Sequence, residues 1–179
     1  MQLTNDDLAA LVTEFCGVVD KILAKPTRDV PANLIVVGED GKRMQIALLT
    51  DDLNDHRRKP DLMHAAAKAV VSQRIVPAAV VMASEVWIAP KGWSGRASDC
   101  PARQEGIMVA VVAADFRTMM ACRSVARDSQ DNIVAEDWMP TDSGTNRLLE
   151  EFYFGYDAAV IARGFTTSHR PSTGTPSRN

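Results

Sequence analysis

Two short blocks carry the residue types that acid–base chemistry needs. Ser84-Glu85-Val86-Trp87 and Pro101-Ala102-Arg103-Gln104-Glu105 stand on either side of an irregular stretch. Alternate side chains of a strand share a face, so Glu85 goes with Trp87 and Arg103 with Glu105, while Ser84, Val86 and Ile88 face the other way. If the two strands pair antiparallel, Glu85, Trp87, Arg103 and Glu105 gather into one patch. Two carboxylates beside a guanidinium can divide acid and base work, because like charges raise one pKa while the cation steadies the other. Glu85, Arg103 and Glu105 are therefore the catalytic candidates. The plainer reading is a structural cross-strand pair of Glu85 and Arg103 with Trp87 over the arginine stem, and it is the one we favour.

Other reactive types are more scattered. Cys100 follows Asp99 in a loop that also holds Trp93, Arg96 and Arg103, and a thiolate beside arginines is activated when a base such as His64 is near. Nothing in the spacing brings His64 to Cys100, and no nucleophile signature surrounds it, so a packed or surface thiol is the expectation. Trp87, Trp93 and Arg96 are the candidates for binding. Asp51, Asp52 and Asp55 lack the spacing and the glycine of a calcium loop, and His56, His64 and His169 have no metal-ligand spacing, so no metal is expected. Gly38-Glu39-Asp40-Gly41-Lys42 is glycine-rich, but its two acids repel phosphate and it joins two apolar runs: it reads as a hairpin turn. No cofactor motif is legible. Arg57-Arg58-Lys59 is offset by the acids before it.

The elements that must position these residues are read from periodicity. Leu8, Leu11, Val12, Phe15, Val19, Ile22 and Leu23 make one helical stripe, opened by the capping pair Thr4 and Asp7 and closed by Pro26. Strands are expected over 33–38 and 43–50. After a charged connector, Pro60 opens a second helix carrying Leu62, Met63, Ala66, Ala69 and Val70, which ends before Pro77. Strands follow over 78–89, 107–113, 117–126 and 132–138, and a third helix over 146–163, with Leu148, Leu149, Phe152, Tyr156, Val160 and Ile161 on its stripe. Gly155 inside that helix costs about 1 kcal/mol against alanine, which implies a packing contact there. The order α-β-β-α-β-β-β-β-α predicts an α+β fold, a mainly antiparallel sheet of about six strands with three helices on a face. Phe15, Val36, Val81, Val109, Met120 and Phe152 are expected around one core. Residues 1–163 read as a single α+β domain and 164–179 as a flexible Ser/Thr/Pro/Gly-rich tail, with Arg163, Arg170 and Arg178 but no acid.

Composition narrows the function classes. With 46% hydrophobic residues and a net charge of −3 over 179 residues, the chain can fold and lacks the basic footprint of a nucleic-acid binder, so nucleic acid is not an expected partner. No apolar run reaches the roughly 18 residues of a membrane span, no secretory signal opens the chain, and three irregularly spaced cysteines suit a reducing cytoplasm.

The blocks Val30-Pro31-Ala32-Asn33-Leu34-Ile35 through Gly41-Lys42, Ser84-Glu85-Val86-Trp87, and Pro101-Ala102-Arg103-Gln104-Glu105-Gly106-Ile107-Met108-Val109 resemble a scattered group of small uncharacterised proteins from bacteria and their phages. That group shares an Asp-Gly-Lys hairpin, a Ser-Glu-x-Trp strand and a Pro-x-Arg-x-Glu strand. The resemblance covers about residues 30–127; the tail and the insertion from Trp93 to Cys100 depart from it. It implies the order of elements and carries no activity. The expected function is a non-enzymatic module that binds protein or self-associates, a phage structural or accessory protein being one such role, in the host cytoplasm or virion. The competing expectation is a small hydrolase-like enzyme built on Glu85, Arg103 and Glu105.

Overall fold

The computed structural model describes residues 3–27, 29–48, 53, 55, 57–90, 92–141 and 146–163. The tail 164–179, Asp51, Asp52, His56 and His169 lie outside the described residues. Helix α1 (Asn5–Leu23) is followed by β1 (Asn33–Gly38), β2 (Arg43–Ala47) and α2 (Lys59–Ser72). Then come β3 (Pro77–Ile88), β4 (Gln104–Ala113), β5 (Thr118–Arg127), β6 (Ile133–Ala135), β7 (Met139–Thr141) and α3 (Arg147–Ala162). The fold is α+β, with the strands in the order β2-β1-β3-β4-β5-β6 and β7 also on β5, every pairing antiparallel.

The local chemistry is the one the residue types demand. At the start of α1, Thr4 Oγ1 accepts from the Asp7 N–H and the Asp7 carboxylate accepts from the Thr4 N–H, closing the capping box. The hairpin between β1 and β2 turns on Gly41, whose φ of +78° suits glycine, while Gly38 N–H donates to Lys42 O at 2.7 Å. The expected strand 132–138 is broken into β6 and β7. Against β5 the register runs Val125↔Ala135 on one side of the break and Cys122↔Met139 on the other, so one extra residue is inserted around 136–138. That is a β-bulge, and it swings Trp138 onto the face of the sheet that α1 covers.

The sheet is buried on both faces, and this corrects the expectation of helices on one face and of one core. Odd-numbered positions of β3, β4 and β5 meet α1: Val81, Val109 and Ala121 pack with Leu8, Val12, Phe15 and Val19. Even-numbered positions meet α2 and α3: Val36, Val80 and Val112 pack with Met63, Val70, Leu149 and Phe152. Phe15, Val81 and Val109 thus belong to one core and Val36 and Phe152 to the other, with Met120 only half-buried at the edge of the second. The near-continuous apolar runs of β3 and β4 follow from being covered twice.

Helix α3 is fixed to its surroundings by specific contacts. Tyr153 Oη donates to Val112 O at 3.0 Å and Tyr156 Oη to Ile75 O at 3.1 Å. A Cβ on Gly155 would meet His64 Cα at 2.7 Å, so the glycine is where α3 and α2 touch. Phe116, in the β4–β5 turn, holds a φ of +66° and stacks edge-on to Tyr153 at 5.7 Å. On the other face, Arg117 reaches Asn5 and Leu3, and Arg123 reaches Asp20 at 2.6 Å, so β5 runs alongside α1.

Candidate functional site

Beyond the C-terminal end of α1 the sheet forks. β4 stays with β3, where Trp87 lies opposite Glu105, while β5 leaves β4 after Gly106↔Ser124 and continues against β6. Gly106 sits in the crotch of this fork; a Cβ there would press on the Ile88 side chain and come within 2.9 Å of Arg123 O.

The fork does gather Glu85, Trp87 and Glu105 on one face, but the arginine between the carboxylates is Arg127, not Arg103. Arg127 Nε donates to Glu105 Oε2 at 2.9 Å, and its other end lies 3.6 Å from Glu85 Oε2. Asp131 adds a third carboxylate at 3.9 Å. The guanidinium's pKa is raised, first by the hydrogen bond to Glu105, so it stays charged. Glu85 also accepts the Val30 N–H at 2.8 Å, which ties down the chain between α1 and β1. Arg103 instead lies over the Trp87 ring, 4.6 Å from its centroid. The Glu85/Arg103/Glu105 triad is therefore corrected: Arg103 is one residue before β4 begins, and its cation finds the aromatic face sooner than the carboxylates. Glu105, Arg127, Ser124 and Glu136 line an open depression of about 350 Å³. In this shallow, solvated basin Arg127 already bridges Glu85 and Glu105, and acid–base chemistry lacks a dry environment.

Trp93 is 43% exposed, its indole N–H donating to Arg96 O at 2.9 Å. Arg96 nears the start of α2, where burial first and then its charge lower the pKa of Lys59. Cys100 is buried, its N–H donating to Ala97 O. His64 is engaged on α3, with Nε2 3.5 Å from Glu151. Asp55 accepts from the Arg57 N–H and leads into α2. Among the described residues no group of three or more His, Cys, Asp or Glu side chains could hold a metal ion, and no helix is long and apolar enough to cross a membrane.

The two edges of the sheet are treated differently, and sequence reasoning located neither. At the β5 side the edge is blunted: β6 and β7 are three residues each, the bulge separates them, Pro140 removes a donor, and the Ile133 N–H is capped by Thr27 O at 2.8 Å. At the other side β2 has no proline or bulge, and among the described residues no strand pairs its outer side. The hydrogen bonds of Gly38 to Lys42 and of Leu48 to Ala32, with Leu34↔Ile46 and Val36↔Met44 between them, set the phase of the ladder. Met44 and Ile46 direct their backbone groups to β1, and Arg43, Gln45 and Ala47 direct theirs outward. Arg43, the one charge on the strand, is drawn inward by a bidentate pair with Glu14 of α1. Comparison with protein-family models, with curated proteins and with solved structures finds no match to this chain.

Proposed function

We propose that this protein is a non-enzymatic protein-binding module that receives an extended strand along β2. The observation that supports the reading is the asymmetry of the two edges. An unpaired strand is an aggregation hazard, and proteins blunt such edges with prolines, bulges and short strands. Here those devices are concentrated at β6 and β7, while five regular residues of β2 carry none of them. Strand addition supplies main-chain hydrogen bonds for affinity and alternate side chains for specificity. The catalytic alternative has less in its favour, because Arg127 bridges Glu85 and Glu105.

Light scattering over a concentration series, together with affinity capture by the tagged chain, tests the reading when wild type is set beside Gln45→Pro. Proline at 45 removes an outward N–H and leaves the β1–β2 ladder intact. Association or capture that the proline abolishes supports the proposal. A strict monomer that captures nothing, or association indifferent to the proline, overturns it.

A further inference from the structure

We infer that the strand received by β2 is β2 of a second copy, running antiparallel about a twofold axis through Gln45. This rests on the reading of β2 as an open edge and adds the identity of its partner. The outward backbone groups sit at Arg43, Gln45 and Ala47, symmetric about position 45, so a twofold there satisfies all of them with their own equivalents. The side chains agree with that register. Arg43 falls opposite Ala47 of the second copy and Gln45 opposite itself on the α1 face, while Met44 falls opposite Ile46 on the other. A twofold centred on Arg43 would instead set two arginines face to face. A slip by one residue would turn Met44 and Ile46, both half-buried, to the wrong side of the joined sheet.

Among the described residues, nothing covers the outer side of β2. Arg43 is paired with Glu14 and lies 5.9 Å from the Phe15 ring centroid, on the α1 face of the strand where Ala47 of the second copy would lie opposite it. The axis is perpendicular to the sheet, so the two α1 helices share one face and the α2 and α3 helices the other. The contact is isologous and uses up the open edge, and the opposite edge is blunted, so association stops at a dimer.

Sedimentation velocity of the full chain over a concentration series tests the register through Ala47, which is exposed and faces Arg43 of the second copy. Ala47→Glu creates two new opposite-charge pairs and should tighten the dimer about fivefold; Ala47→Arg creates two like-charge pairs and should loosen it about fivefold. Wild type that stays monomeric at every concentration, or a dimer that shifts the same way with both charges, overturns the inference. A fluorescent peptide of residues 42–48 separates this from the underlying reading. If the chain is monomeric yet binds the peptide, and Gln45→Pro abolishes that binding, the open edge stands and the second copy falls. If the monomer does not bind the peptide either, both fall.

Discussion

At the scale of single residues, Gly155 shows how a local rule is overridden. Alanine is the better helix former by about 1 kcal/mol, yet a methyl there would collide with the backbone and ring of His64. Overpacking costs typically 1–3 kcal/mol, so Gly155→Ala should lower the urea midpoint, with a net loss of up to about 2 kcal/mol. A raised midpoint would mean that α2 and α3 do not touch there. Cys16 offers a pH test. Burial, and then the nearby Asp20 carboxylate, push its thiol from the ordinary 9.0 up to about 11. The native thiol therefore holds its proton more tightly than the unfolded one. Its contribution to stability is complete below pH 9 and fades as the pH rises through about 11. Urea midpoints of wild type and Cys16→Ala, compared from pH 8 to pH 11, should show the wild type losing ground to the variant across that window. A constant difference would contradict the buried thiolate cost. The sequence foretold a contact at Gly155 and a patch at Glu85 and Glu105, because both follow from spacing along one element or two paired ones. Arg127 was missed because the expected strand stops at Ala126, one residue short of it. Strand parity would have found it, since 123, 125 and 127 share the face of Glu105.

At the scale of elements, the stripes of the first and third helices and the capping box at Thr4 were legible, being short-range patterns. That the helices cover opposite faces was not, because β3 and β4 are apolar at odd and even positions alike and carry no sign of which face is which. The two cores have an energetic consequence. Val19 on α1 and Val70 on α2 are both fully buried, with the sheet between them. Val19→Ala and Val70→Ala should each cost about 2 kcal/mol, and the double variant should lose their sum within about 0.5 kcal/mol. A coupling well above that in a double-mutant cycle would mean that the two layers behave as one core. The β6–β7 break was equally hidden: one inserted residue leaves no trace in an alternating pattern this short, though it decides where Trp138 goes and blunts the edge.

At the scale of the whole molecule, the central claim is that one edge of the sheet is closed by its own sequence and the other is kept for a second chain. Hydrogen exchange along β2, followed amide by amide against protein concentration, is its most direct test. The N–H groups of Met44 and Ile46 bond to β1 and should be protected at any dilution. Those of Arg43, Gln45 and Ala47 should exchange freely in dilute solution and become protected together as the concentration rises, with the midpoint of that change matching the dimer's dissociation constant. Fast exchange of these three amides at every concentration, or protection that is already complete in the monomer, would contradict the account.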